Sequence, residues 1–352
     1  MAARAAQWHI LRHGRILAQH PEVRLLQGAY PLSQAFIVGL VAIDVGLAWT
    51  VRYASWLTVS LVAFGVGAFV AHALGVLIHE CTHNLVAHGT RANKIWMLVA
   101  NLPLLAPAAV EFRAQHLLHH KFLGEVDGQD TQAPARAEIT FTGTSSLRKL
   151  ASFSLGRFFY RGRPANAVSR DTFLVLNWGI QLAATAALAW LVGGKGLTFL
   201  GVSGLLAFGP HPVGARRLSE HFAMREGQPT VSYYGILNGL AFDVGYHVEH
   251  HDFPAIAWPR LRALRKLARE EYEGLFAFRS WTALLLSHFF NPRYRVDHYV
   301  GFGRVLESDL GKLGVSNRDP CPAAPSPGGA ATSSRGTLPC RTSSKMGPPS
   351  FV

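Results

Sequence analysis

Histidines come in three helically spaced groups in this sequence. In Tyr246-His247-Val248-Glu249-His250-His251-Asp252-Phe253-Pro254 the imidazoles of His247, His250 and His251 fall at i, i+3 and i+4. On a helix all three leave from one face. His116-Leu117-Leu118-His119-His120 repeats that spacing, and His79-Glu80-Cys81-Thr82-His83 sets a pair at i, i+4. Converging neutral imidazoles are metal ligands. Eight are too many for one ion, because a mononuclear zinc site uses three or four ligands. The pattern therefore points to two metals, with positions left open for oxygen or substrate. Imidazole suits iron, zinc or copper, so ligand type leaves the metal's identity open. His221, in Ser219-Glu220-His221-Phe222, is a ninth candidate ligand, and His211 and His288 are lesser ones. His9, His13 and His20 read as ordinary polar-face residues.

The carboxylates Glu80, Glu220, Glu249 and Asp252 stand among these groups. A ligating imidazole commonly donates its other N–H to a carboxylate, which sets the tautomer; plain helix-surface charge is the alternative. His79-Glu80-Cys81-Thr82-His83 also matches H-E-x-x-H, the zinc-protease motif in which the glutamate is general base. An intramembrane zinc protease is thus a rival, but it leaves six clustered histidines without a role, and no separate aspartate motif completes such a site. Cys81 reads as a small packing residue. With Cys321 and Cys340 the only others, no disulfide framework is implied.

Elements that position these groups follow from hydropathy. Hydrophobic residues make up 49% of the 352 residues and charged ones 16%, which favours a membrane protein. The net charge of +13 does not indicate nucleic acid, because the basic residues lie between apolar segments rather than in one patch. The first 30 residues hold no continuous apolar core, so no cleavable signal peptide is expected. Residues 8–27 read as an amphipathic basic helix, on the membrane surface or packed on the protein. Ala35–Val51 and Trp56–Ile78 are apolar and about long enough to cross a ~30 Å hydrocarbon core, and only Arg52-Tyr53-Ala54-Ser55 separates them. Asp44 inside the first should face the bundle. Lys94–Phe112 is interrupted by Asn101, Pro103 and Pro107, which predicts a re-entrant or interfacial segment. Thr172–Val192 and Gly196–Pro212 make a second hairpin with Lys195 at its turn.

The expected fold is therefore an all-α integral membrane protein. It has about four transmembrane helices in two hairpins, a re-entrant or interfacial segment, and a cytoplasmic histidine-rich di-metal domain. Residues 113–171 carry nine Lys/Arg against five acids, as a cytoplasmic loop does. In this topology only Arg52 and Lys195 of the 34 basic residues face the far side, and every histidine group is cytoplasmic. The basic run 260–269 suits lipid headgroups or a solvated face. The expected organisation is an N-terminal segment over 1–33, a membrane domain over 34–313 and a Pro/Gly/Ser-rich disordered tail over 314–352. A metal-binding transporter or receptor without chemistry would need polar residues along a path across the membrane, and Asp44 and His72 are too few.

The three boxes, H-x-x-x-H and twice H-x-x-H-H, resemble those of the membrane fatty acid desaturase and hydroxylase superfamily. Within it, the sequence is similar to the sphingolipid delta-4 desaturases (dihydroceramide desaturases). The similarity rests on residues 16–24, on Ile78-His79-Glu80-Cys81-Thr82-His83-Asn84, and on the stretch with Gly209-Pro210-His211-Pro212, Ser219-Glu220-His221, Ser232-Tyr233-Tyr234-Gly235 and Phe242-Asp243-Val244-Gly245-Tyr246 running into the third box. It covers roughly 8–300. The resemblance implies a non-haem enzyme with two Fe2+ ions that uses O2 to place a trans C4–C5 double bond in dihydroceramide, giving ceramide. It implies His79, His83, His116, His119, His120, His247, His250 and His251 as ligands, with His221 as an additional one. Electrons would come from NADH through a separate cytochrome b5 and its reductase, in the endoplasmic reticulum membrane of a eukaryote. Bottom-up reading does not separate desaturation from hydroxylation. Both start with hydrogen abstraction and diverge on whether a second hydrogen leaves, which depends on substrate positioning. Sphinganine or dihydroceramide C4-hydroxylation, or desaturation of another fatty acyl chain, is the alternative.

Overall fold

The structure is a computed structural model that describes residues 3–126, 129–159 and 171–301. The tail expected over 314–352, and Arg161, Arg163 and Arg170 of the basic loop, lie outside the described residues. Helices dominate: α1 (Ala3–Gln19), α2 (Ser33–Val51), α3 (Trp56–Thr82, with one π-helical turn at Ala63–Gly67), α4 (Thr90–Asn101), α5 (Ala109–Phe122), α6 (Arg136–Thr142), α7 (Ser146–Phe159), α8 (Thr172–Ala207), α9 (His247–Asp252), α10 (Leu261–Leu267) and α11 (Trp281–Phe290). Two short strands, β1 (Ser232–Tyr233) and β2 (Ala277–Phe278), pair in parallel.

Three stretches are long and apolar enough to cross a membrane: α2, α3, and Thr172–Ser219, which contains α8. A fourth arises if the bent pair Thr90–Leu104 and Ala109–Phe122 is counted as one. The 19 residues of α2 span about 28 Å. Phe36, Val38, Ile43 and Trp49 are exposed on it while Ile37, Ala48 and Val51 are buried, so it is apolar all round, as a membrane helix is. Asp44 is buried, as the cost of lipid exposure requires.

The core of the bundle joins Ala48, Val51, Val59 and Ala63 to Leu188, Val192, Phe199 and Leu200 of α8. Helix α8 is two arms that meet at Gly193 (φ 66°, ψ −178°). Gln181 on the first arm donates to Leu102 O at 3.1 Å, and Gly201 on the second arm faces Leu105. Straight helix would set 181 and 201 about 30 Å apart, so the chain reverses at Gly193. Lys195, just past the break, donates to Ala54 O at 2.7 Å in the turn between α2 and α3. Backbone angles like those of Gly193 are essentially restricted to glycine. Gly193→Ala is therefore expected to cost about 1–3 kcal/mol, read as a lower unfolding temperature in detergent.

Between α4 and α5 the chain bends by 117°. Pro103 and Pro107 lack the N–H groups that a continuous helix needs, Leu105 takes a positive φ of 58°, and the Asn101 amide donates across the break to Ala106 O at 2.7 Å. This bend brings α5 back against the C-terminal end of α3, and His79 and His116 meet with ring centroids 4.5 Å apart.

Of the two readings of the N-terminal helix, packing on the protein is the one found. Ile16 packs with Val248, Phe253, Ile256, Leu261 and Leu264, while Arg12 donates to Asp252 Oδ2 at 3.0 Å. The basic run 260–269 is also largely engaged within the protein. Arg260 donates to the carbonyls of Leu26, Gly28 and Ala29, Arg262 makes a two-pronged contact with Asp243, and Arg265 lies over the Tyr234 ring at 4.1 Å. A guanidinium can cap carbonyls and carboxylates bidentately, a use that charge patterning alone does not separate from a headgroup contact.

Candidate metal centre

Each histidine group ends or occupies a helix held in place by contacts outside it. The last turn of α3 carries His79 and, at its end, His83; Arg113 of α5 reaches over to donate to Cys81 O at 2.9 Å and to Thr82 O. Helix α5 carries His116, His119 and His120. Helix α9 is only six residues long, too short to stand alone. It is held by β1: Ser232 Oγ donates to Glu249 Oε2 (2.7 Å) and accepts from Val248 N (3.0 Å), and Tyr234 Oη donates to Glu249 Oε1 (2.6 Å). His221 follows the short helix Arg216–Ser219.

All nine predicted histidines converge. His79, His83, His116, His120 and His250 form one set and His119, His221 and His251 another, with the potential ligand atoms of each set within 4.8 Å of one another. His247 joins the second set, its Nε2 lying 3.0 Å from His221 Nε2. Successive residues on a helix diverge by about 100°, so adjacent His119 and His120, like His250 and His251, face different sets. The sets lie side by side: the rings of His120 and His251 stack at 4.0 Å.

The ring nitrogens are spaced as ligands of a shared ion would be. Two nitrogens bound at ~2.0–2.1 Å and at right-angled to tetrahedral geometry lie roughly 2.8–3.4 Å apart. Nε2–Nε2 separations are 2.9 Å for His116–His120, 3.3 Å for His120–His250 and 2.9 Å for His119–His221. Both ring nitrogens of His79, Nε2 of His83 and Nε2 of His251 are buried without a hydrogen-bond partner. An orphaned buried polar group costs about 1–3 kcal/mol, and cations bound here would satisfy these converging lone pairs. Burial, reinforced by the neighbouring imidazoles, holds His221, His247, His250 and His251 well below the ordinary histidine range, and thus neutral and able to ligate.

Some outward ring nitrogens find partners, though not all the expected ones. Glu220 Oε1 lies 3.3 Å from His247 Nδ1, as its position predicted. Glu80 accepts from Trp258 N at 2.9 Å and comes only within 3.7 Å of His79, so its carboxylate is engaged by backbone rather than set as the general base of a protease. Glu249 organises α9, and Asp252 binds His9 (2.7 Å) and Arg12. Sequence reading missed Asp130, which accepts from His119 Nδ1 at 2.8 Å, and Gln132, whose amide lies 2.8 Å from His116 Nδ1. Both sit in a loop without periodicity, where no local signal marks them. His9 is buried and bonded at both ring nitrogens, not an ordinary polar-face residue. His13 Nδ1 lies 2.8 Å from Asp252 O, and the half-buried His20 pairs with Glu270. His211 sits between the rings of Phe64 and Phe69, and His288 beside Phe153 and Tyr294; neither joins the nine. His72 packs near Phe208 and Trp281.

Comparison with known proteins follows the same outline. The family model for fatty acid desaturase matches residues 54–283. The chain is 39% identical over 285 residues to human sphingolipid delta(4)-desaturase/C4-monooxygenase DES2, covering 79% of this chain and 87% of that protein. It is 36% identical over 291 residues to a putative sphingolipid delta(4)-desaturase/C4-monooxygenase of Caenorhabditis elegans, covering 81% and 80%. The sphingolipid delta(4)-desaturase of Schizosaccharomyces pombe is 36% identical over 295 residues, covering 79% and 80%.

Proposed function

The chain belongs to the fatty acid desaturase family, and from that premise we propose that it is a sphingolipid delta-4 desaturase, an oxidoreductase that converts dihydroceramide to ceramide. The observation that carries this reading is the convergence of nine imidazoles, seven of them on buried residues, into two adjoining sets in a chain whose curated relatives bear that activity's name. In this reading His79, His83, His116, His120 and His250 hold one iron, and His119, His221, His247 and His251 hold the other. Two bound iron ions would supply the activation of O2 that removal of unactivated hydrogens requires.

The protein's own part is placement and exclusion. Four separate segments deliver rings to one largely buried volume, and Arg113, Ser232 and Tyr234 hold the ends of α3 and the short α9 in register. Asp130 accepts the outward N–H of His119, leaving its Nε2 lone pair for a metal. The substrate is a lipid, so the reading includes two membrane hairpins with a re-entrant segment between them, within a membrane domain over 34–313. The sites would face the cytoplasm, in the endoplasmic reticulum if the cell is eukaryotic. Supporting that orientation, Arg52 and Lys195, the far-side basic residues, belong to the turns at one end of the bundle, while Arg12, Arg113 and Arg216 contact the histidine-bearing segments. Cytochrome b5 and its NADH-dependent reductase would deliver the electrons.

The test is expression in cells lacking their own desaturase, followed by mass spectrometry of sphingolipids. Dihydroceramide is expected to lose two hydrogens in an oxygen-dependent way. Some relatives are named for C4-monooxygenase activity as well, so the second product to look for is one that has gained an oxygen atom. Dihydroceramide left unchanged, with the protein and both electron donors present, would overturn the proposed substrate.

A further inference from the structure

A line of four buried side chains runs from α1 to the second histidine set. Asp252 Oδ1 and His9 Nδ1 are 2.7 Å apart, His9 Nε2 and Thr230 Oγ1 are 2.7 Å apart, and Thr230 Oγ1 lies 3.4 Å from His221 Nδ1. Thr230 is fully buried, and His9, His221 and Asp252 are nearly so. Resting on the two-metal reading above, we propose that His9 is a positioning residue: through Thr230 it sets the tautomer and ring orientation of His221.

The direction of every hydrogen bond follows from the ends of the line. Asp252 is a carboxylate, bonded on its other oxygen by Arg12 Nε at 3.0 Å, and a carboxylate only accepts. His9 must therefore carry its proton on Nδ1, which leaves Nε2 as an acceptor. The Thr230 hydroxyl donates to that nitrogen, and its own lone pairs then face His221 Nδ1. His221 is left protonated at Nδ1 and unprotonated at Nε2. That Nε2 is the atom 2.9 Å from His119 Nε2 and 3.0 Å from His247 Nε2. A charged group outside the site thus polarises a chain of hydrogen bonds towards the ligating nitrogen, much as a direct carboxylate partner would. The His9 ring also lies 5.1 Å from that of His251, so α1 backs two members of the same set. The N-terminal helix, which hydropathy alone leaves as an appendage, becomes part of the metal centre's support.

The experiment compares metal retention in the full chain and in Thr230→Val, Thr230→Ser and His9→Leu, each purified in detergent, loaded with ferrous iron and titrated with a chelator. Thr230→Val keeps shape and removes the hydroxyl, and it leaves the Arg12 and Asp252 contact of α1 untouched. It and His9→Leu are expected to release about half of the bound iron at roughly 10–100-fold lower chelator concentration than the parent, with Thr230→Ser restoring parental retention. Parental retention in Thr230→Val would overturn the relay, including the case where His9→Leu alone loses iron, since that pattern assigns His9 to docking α1. Failure of Thr230→Ser to restore retention would overturn it as well. A parent that binds no iron fails differently: it removes the two-metal centre itself, and this inference with it.

Discussion

Replacing His250 with alanine is expected to reduce desaturation to the background of the host cells while leaving membrane insertion intact. His250 is the member that α9 contributes to the five-histidine set. Its Nε2 lies 3.3 Å from His120 Nε2, and its ring centroid is 4.4 Å from that of His79 and 4.6 Å from that of His83. Alanine removes a ligand where three elements meet. The helices that cross the membrane are unaffected, because their insertion depends on length and hydropathy. His119→Ala is the matching test of the second set, since His119 lies beside His221 and on the opposite flank of α5 from the first set. Membrane fractionation reads insertion, and lipid mass spectrometry reads turnover. Turnover retained by either variant would remove that histidine from the site.

Asp130→Ala should produce the next largest loss, in metal affinity and in stability together. The buried carboxylate accepts from His119 Nδ1 (2.8 Å), Gly124 N (2.8 Å), Gln132 N (3.0 Å) and Tyr299 Oη (2.9 Å). Alanine leaves these donors inside the protein with the carboxylate gone, and an unsatisfied buried donor costs about 1–3 kcal/mol. A total of about 3 kcal/mol is expected, seen as a lower unfolding temperature. Because His119 also loses the acceptor that sets its tautomer, iron affinity should fall roughly 10–100-fold. Asp130→Asn separates the two effects. It keeps the volume and one acceptor oxygen for His119, so its affinity loss should be smaller than that of Asp130→Ala. Equal iron affinity in Asp130→Ala and the parent would show that His119 needs no such partner.

The parts of this site that were readable from the sequence are those set within a few residues. His79 with His83, His116 with His119 and His120, and His247 with His250 and His251 announce themselves because helical spacing determines which neighbours share a face. His221 has no such partner at helical spacing; its place just after the fourth apolar span made it a candidate, and the family resemblance supported it. Divergence of adjacent histidines by about 100° was also present in the spacing, and could have assigned His119 and His120 to different metals. Asp130, Gln132 and Thr230 were not readable, since each lies in irregular chain and gains its role only through what it touches. Glu249 and Asp252 show the reverse: a carboxylate next to a ligand in sequence can point away from the metal, because on a helix neighbours do not share a face.

By itself, then, the sequence determined the apolar stretches that can span a membrane and the helical histidine groups, whose number points to more than one metal. All of these are local properties of length, hydropathy and spacing. Tertiary structure alone decided how the rings divide between two sets, which group stands behind each ring, and that α1 belongs to the site. His9 and Asp252 are separated by 243 positions in the chain. No periodicity spans that distance; only the packing of α1 on α9, driven by burial of Ile16, Val248 and Phe253, brings them within a hydrogen bond of one another.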